Sequence, residues 1–595
     1  MTEKVKNWGQ YFTPQDVAEF MVNLISKDIR SYPRVLEPCA GQGVFLKELE
    51  RKGFKNIVAY EIDSTLQNNS NVNVLRQDFL STDPNDKFDV IIGNPPYVRW
   101  RNIPKELREK LRVHPYWKDK LNGLGDLLYA FIYLSVEKLS DNGELVFITP
   151  MFWMETTHAK ILRKQLSKLG EIDLIITFNE MRIFKEVSST IMVFKFVKRK
   201  VGKQIKIVQI HSKENLTQEI LDHAMVLLER LNKQDYVQED MYEAYIHPQF
   251  MNGNPWVVIP PHIKPLIEKM EETCATTAPL VPVNNSGVTQ SPLSRLLEQE
   301  DLEQYEIPRR LCKAIKFCGK TYFLPEYGSG LATGLKDTNQ TNPEIVRSPR
   351  LGDIAQIGNG LVSGLDRAFK VAHENAFSGR ERQKIVPVVK AKNLKRYYVE
   401  GYTPYIFVND IASQKELEFG YPNVFEHLLR FKSKLEQRYQ YGQTIPWWHW
   451  VFLRNFRLIT ESPEKILVPC KERIDKKGYV RFSLAVGKLY VTQDVTAIVK
   501  KPEFKEDVKY LVGILNSELI LTWLKYKGLT RGGVLEFSEK PLSRIPIRLI
   551  NWKNREDVEI HDKIVRLVDQ ILETKLIEPY HEQIESLVRK LYGVL

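Results

Sequence analysis

Several things are scarce in this sequence, and each shortage narrows the reading. No apolar run approaches the roughly 20 residues that span a bilayer, and the opening MTEKVKNWGQ has no apolar stretch of the kind a secretory leader carries. A cytoplasmic protein with no membrane partner is expected. Cysteine is limited to five residues, Cys39, Cys274, Cys312, Cys318 and Cys470, odd in number and without a CxxC pair. That argues against a disulfide framework or a cysteine zinc site, and no metal is expected. Internal repeats are absent. The excess of one charge sign is modest: 86 Lys and Arg against 74 Asp and Glu, a net +12, which suits a polyanionic partner without demanding one.

What is present is a long, core-forming chain. At 595 residues it exceeds a single hydrophobic core, and 43% hydrophobic content with 11% aromatics excludes a disordered chain. From about residue 34 to 198, apolar β-branched runs alternate with amphipathic stretches, the pattern of an α/β fold on a mostly parallel sheet. RVLEP, NIVAYEI, NVNVLRQ, KFDVIIG, GELVFITP, EIDLIITF and STIMVFKFV are the seven strand candidates. VFLKELERKG and GDLLYAFIYLSVEKL are helix candidates, with apolar residues recurring at three and four. The last two strands, adjacent in sequence, suggest a hairpin closing the sheet. After Lys200 the texture changes, and the turn-rich stretches TTAPLVPVNNSGVTQSPLS and EYGSGLATGLKDTNQTNPE read as linker or exposed loop. The expected organisation is a Rossmann-like domain over 1–245, a connecting region over 246–350 and an independent α+β domain over 351–595.

The chemistry gathers at the strand ends. In VLEPCAGQG a strand runs into Glu37, Pro38, Cys39, Ala40 and Gly41, small residues that let the backbone approach a ligand at the carboxyl edge of the sheet. A carboxylate here would repel a pyrophosphate and suits a cationic amino-acid end. The second strand ends in Glu61 and Ile62, where an acid can accept from ribose hydroxyls; the third ends in Asp78 and Phe79, which suit an adenine amino group and ring. Three acids at successive strand ends, with no phosphate-binding lysine, describe S-adenosylmethionine. The fourth strand closes in DVIIGNPPYVRW. Asn94 and the Pro95 carbonyl can accept both protons of a weakly nucleophilic amine, Pro96 stiffens the tip by fixing φ, and Tyr97 offers a face to a planar group. Asn94 and Pro96 also face the cofactor side.

These motifs carry a resemblance. The order QYFTP, EPCAGQG, NPPY resembles the gamma-class, TaqI-type N6-adenine DNA methyltransferases of restriction–modification systems. The resemblance implies S-adenosylmethionine-dependent transfer to N6 of an adenine flipped out of double-stranded DNA, in the bacterial cytoplasm, by a monomer acting beside a separate restriction endonuclease. It further implies that Tyr11, Phe12 and Thr13 contact the cofactor and that Phe194, with Phe196 as second choice, packs against the flipped base. Asp126, Leu127 and Tyr129 would line the pocket. LGDIAQIGNGLVSGLDRAF, VVKAKNLKRYYV and the segment from GILNSEL to SRIPI resemble the family's target-recognition domain; about 70 residues inserted before them have no assigned role. DNA contacts are expected from Arg99 and Arg101 beside the catalytic tip and from Lys390, Lys392, Lys395, Arg473, Lys476 and Arg531 in the C-terminal domain. The cluster PWWHW reads as core. Rival readings are an N4-cytosine DNA methyltransferase, an RNA or protein-glutamine N-methyltransferase, and an inactive specificity module. The dipeptide Pro38-Cys39, needed for covalent attack on cytosine C5, lies in the cofactor turn rather than facing a base.

Overall fold

The computed structural model describes residues 9–273 and 349–594 except 104, 114–124, 180, 185–188, 374–375, 378, 443, 475–476 and 532–533; within 274–348 it describes the backbone of two strands. The chain divides into two units, 1–274 with 349–595, and 275–348. The smaller unit contains an antiparallel hairpin, Cys312–Phe317 with Lys320–Pro325.

In the larger unit the N-terminal sheet has strands β1 (Val35–Glu37), β2 (Ile57–Tyr60), β3 (Val74–Leu75), β4 (Phe88–Gly93), β5 (Leu139–Pro150), β6 (Glu171–Thr177), β7 (Ile191–Val197), β8 (Ile205–Ile210), β9 (Tyr236–Glu239) and β10 (Tyr242–His247). Their order is β3-β2-β1-β4-β5-β7-β6-β8-β10-β9. Ten strands replace the expected seven, because β8 pairs parallel with β6 and a β9–β10 hairpin continues the sheet. The expected hairpin of the last two strands forms, β6 pairing antiparallel with β7, but it does not close the sheet. β7 lies antiparallel between β5 and β6, and β6 keeps a partner on its other side, so neither strand is an edge.

The strands read as continuous apolar runs because both faces are covered. Successive residues enter opposite cores. Leu36, Ile91, Phe147 and Phe194 pack on the side of helices Leu127–Lys138 and Lys160–Leu169. Val35, Ile92, Ile148 and Val193 pack on the side of helices Gln15–Asn23 and Gln218–Arg230. The chain winds outward from β1 to β3, then returns to place β4 beside β1. That reversal opens a crevice beyond the carboxyl ends of β1 and β4, where doubly wound folds bind ligands.

The C-terminal half holds a five-stranded sheet, two three-stranded sheets, and the long helices Arg555–Thr574 and Tyr580–Leu591. Two boundaries shift from expectation. Residue 245 falls inside β10, and Ile267 and Met270 of helix Lys264–Thr273 are buried in the core shared with the C-terminal helices. Trp447, Trp448 and Trp450 are core: their indole N–H groups donate to Gln414, Ile411 and Ile406, and the Arg438 guanidinium holds the backbone carbonyls around them. No helix among the described residues is long and apolar enough to cross a membrane.

Candidate cofactor and catalytic site

A pocket of about 910 Å³, its open mouth included, occupies the crevice. Its wall brings together Tyr11, Phe12, Pro38, Cys39, Gly41, Glu61, Ile62, Asp78, Phe79, Asn94 and Pro96, eleven of the residues read from sequence as cofactor contacts, and among the described residues no Lys or Arg lines it. Phe12 and Ile62 are exposed apolar side chains at this wall, an arrangement that suits a flat or apolar ligand part.

Each acid is held differently. Glu61 accepts from the Gly41 N–H at 2.7 Å and the Asp63 N–H at 2.8 Å, which ties the glycine turn to the end of β2. Asp78 accepts from the Leu80 N–H at 3.0 Å and caps the short turn Phe79–Ser81, while Phe79 packs between Tyr60 and Phe131. Glu37 is 1% exposed, its Oε2 has no partner among the described residues, and burial together with the Glu61 charge pushes its pKa well above the ordinary carboxylate value. A buried carboxylate oxygen without a donor is costly unless a cation or donor reaches it.

Three expected cofactor residues stand outside the wall: Thr13, Glu37 and Ala40. Ala40 is buried, its N–H donating to the Tyr60 carbonyl at 2.8 Å. Thr13 Oγ1 accepts from Asn94 instead.

At the end of β4, the Asn94 amide nitrogen donates to the Tyr11 carbonyl at 2.8 Å and to Thr13 Oγ1 at 3.1 Å, leaving Oδ1 as the acceptor end, where the Tyr97 hydroxyl meets it. That hydroxyl is also 3.1 Å from the Ile148 carbonyl. The Cys39 thiol donates to the Asn94 carbonyl at 3.1 Å, and burial pushes its pKa up, so it stays a protonated donor. Among the described residues, none donates to the Pro95 carbonyl.

The aromatic expected on the last strand is a correction. Phe194 is fully buried against Phe147 and Trp153, and Phe196 lies in the same core. β7 has strands on both sides and helices on both faces, so its side chains are interior. The ring beside the catalytic tip is Phe184, in the segment between β6 and β7, 6.4 Å from Tyr97 and 5.9 Å from Tyr11, itself buried and packed behind those two tyrosines. Its signal in the sequence is an apolar pair, Ile183-Phe184, set in a polar stretch just beyond the carboxyl end of a strand. Tyr97 has one ring face stacked on Tyr11 at 5.4 Å. Leu127 lines the pocket. Asp126, raised to about 6 by burial, caps helix Leu127–Lys138, and the Tyr129 hydroxyl is bonded to Thr156.

The basic candidates separate. Arg99 and Lys392 are exposed. Lys395 pairs with Glu400 at 3.1 Å. The Lys390 ammonium is enclosed by Asp366 at 2.6 Å and Asp494 at 2.9 Å, with its side chain 17% exposed, so its charge is neutralised within the fold rather than offered outward. Arg473 is exposed on strand Lys471–Arg473, where it stands in register with Val534, which stands in register with Arg531. Lys476 and the side chains of Arg101 and Arg531 lie outside the described residues.

Comparison with known proteins sets this geometry in a family. Residues 27–184 match the family described as Eco57I restriction-modification methylase. The chain is 35% identical to the Type II methyltransferase M.HindII of Haemophilus influenzae over 574 residues, 96% of each chain. It is 34% identical to the Type II methyltransferase M.HincII of Haemophilus influenzae over 96% of this chain and 95% of that one. The Type IIL restriction-modification enzyme MmeI, solved in complex with DNA, shares the fold at a TM-score of 0.59 and 12% identity, covering 100% of this chain and 78% of that one.

Proposed function

The chain belongs to the Type II restriction-modification DNA methyltransferases, and from that premise we propose that it methylates N6 of an adenine flipped out of double-stranded DNA, using S-adenosylmethionine. The observation that carries the reading is the catalytic tip. Asn94 has its Oδ1 turned away from two acceptors that hold its nitrogen, and the neighbouring Pro95 carbonyl has no donor among the described residues. Two such acceptors suit an exocyclic amine, which has two protons to give.

The pocket residues fit the cofactor. Behind the wall, the buried Glu37 oxygen, unpartnered among the described residues, suits a cationic amino-acid end nearby; at the wall Glu61 keeps lone pairs for ribose hydroxyls, Asp78 and Phe79 suit an adenine, and a described lining without Lys or Arg suits a ligand without phosphate. When bound, the cofactor supplies an electrophilic methyl group on a sulfonium. The protein's part is placement. Asn94 Oδ1 and the Pro95 carbonyl accept the amine protons in hydrogen bonds, draw the nitrogen toward tetrahedral geometry and free its lone pair for attack, which is preorganisation; the one proton the nitrogen sheds once methylated passes to solvent. Oδ1 has two lone pairs, so the Tyr97 hydroxyl and an amine proton can share it. Tyr97 supplies an aromatic surface for an extruded base, with the buried Phe184 ring packed beside it as support, and the exposed cations Arg99 and Lys392 suit phosphates. The C-terminal half is read as the target-recognition domain. In the cell the protein would act as a monomer that protects DNA from a separate endonuclease.

Incubation with methyl-labelled cofactor and plasmid DNA, followed by digestion to nucleosides, tests this. Label in N6-methyladenine is the expected result. Label in N4-methylcytosine would move the reading to the neighbouring amine chemistry, and unlabelled DNA would refute it.

A further inference from the structure

The segment Gly9–Thr13 lies across the catalytic tip rather than only beside the pocket. Gly9 has φ +62°, and a Cβ there would fall 2.8 Å from the Tyr97 backbone nitrogen and 2.7 Å from Val98 Cγ2, so any larger residue would be both strained and in collision with the tip. The Gln10 amide donates to Asp63 at 3.1 Å, which anchors the segment to the loop after β2, and Phe12 lines the pocket wall. Tyr11 stacks on Tyr97. The Tyr11 carbonyl and Thr13 Oγ1 then take both protons of the Asn94 amide nitrogen.

A primary amide can sit in two orientations that differ by exchange of its oxygen and nitrogen. Only one presents an acceptor to an incoming amine; the other presents donors and would repel it. The Tyr11 carbonyl, which can only accept, rejects the wrong orientation, and the Thr13 hydroxyl, accepting the second proton, holds the nitrogen on that side. We propose that Thr13 is a positioning residue that fixes the Asn94 amide in its accepting orientation. The strap that carries Phe12 at the cofactor wall thereby also sets the group that receives the substrate amine. The proposal rests on the reading of Asn94 as the amine acceptor, and it replaces a cofactor-contact role for Thr13.

The test compares Thr13→Val, which keeps the shape and removes the acceptor, with Thr13→Ser, which keeps the hydroxyl. Full-length protein is assayed in single turnover with saturating DNA and S-adenosylmethionine, and cofactor affinity is measured separately by calorimetry. Expected is a methylation rate about tenfold lower in the valine variant, the loss of about one hydrogen bond in the reacting geometry. Cofactor Kd and melting temperature should stay near wild type, and the serine variant should recover most of the rate. A valine variant as fast as wild type overturns the proposal. So does a weakened cofactor Kd with the rate restored at high cofactor, because Thr13 is then a cofactor contact. A valine variant that melts earlier while serine fails to rescue the rate overturns it as well, in favour of a packing role. If wild type labels cytosine N4, the adenine reading fails while the same rate comparison still tests Thr13, since either amine needs the acceptor. If wild type transfers no methyl group to DNA, both fall.

Discussion

Replacing Glu37 with glutamine should move ligand affinity and stability in opposite directions. Glu37 is buried with an unpartnered Oε2, and burial followed by the Glu61 charge raises its folded-state pKa above its unfolded value. For an acid shifted that way, the fold is unpenalised below the ordinary carboxylate pKa; the penalty accumulates as pH climbs from there through the raised value. Above the ordinary carboxylate pKa the ligand-free protein therefore carries this penalty, whether the buried group holds its proton or gives it up, and a bound cation relieves it. Glutamine keeps the shape and removes the charge. A hydrogen bond to a charged group contributes about 1.5–3 kcal/mol, so Glu37→Gln should weaken S-adenosylmethionine binding by about 10- to 150-fold. The same variant, without ligand, should melt at a higher temperature than wild type at pH 8, and the gap should close toward pH 5. Isothermal titration calorimetry and differential scanning fluorimetry across that range read both. A cofactor analogue lacking the α-amino group should bind the two proteins alike. If Glu37→Gln binds cofactor as tightly as wild type, or melts earlier at pH 8, the carboxylate is not the cation site.

Asn94→Ala should lower turnover by at least about 10²-fold while calorimetric affinities for cofactor and DNA stay near wild type; a parallel loss of binding would make Asn94 structural. Phe184→Leu keeps apolar volume but removes the ring that packs on Tyr11 and Tyr97, so methylation of site-containing DNA should weaken by about 0.5–1.5 kcal/mol. Phe194→Leu, a change inside the core, should instead lower the melting temperature with little selective effect on DNA. Arg99→Ala should reduce the slope of log Kd against log salt by about one. Lys390→Ala should leave that slope alone and destabilise the C-terminal half, because Asp366 and Asp494 lose their shared cation.

Why some of these residues are readable in the sequence and others are not follows from what one dimension records. A strand that ends in a polar residue is visible as such, which is why Glu37, Glu61, Asp78 and Asn94 could be set side by side before any fold was known: the doubly wound order brings successive strand ends to one edge. Phe194 failed for a reason the sequence also contains. STIMVFKFV lacks polar alternation, the mark of a strand buried on both faces. Its lone charge, Lys195, is itself interior, 3.3 Å from Glu144 and 3.5 Å from Asp173. A ring on such a strand is core, so the ring that packs against Tyr97 comes from a loop at a strand end, where Phe184 stands buried beside it. Thr13 and Lys390 belong to another class, because their roles depend on partners far along the chain: Asn94 is 81 residues from Thr13, and Thr492 is 102 residues from Lys390. Counting charges therefore overstates the surface open to DNA. The net +12 includes cations already matched inside the fold, and the phosphate-facing set is better sought by exposure than by local density of Lys and Arg. On that criterion Arg99 gains weight over the KAKNLKR cluster, since it is exposed and stands two residues beyond Tyr97 on the chain that enters the catalytic tip.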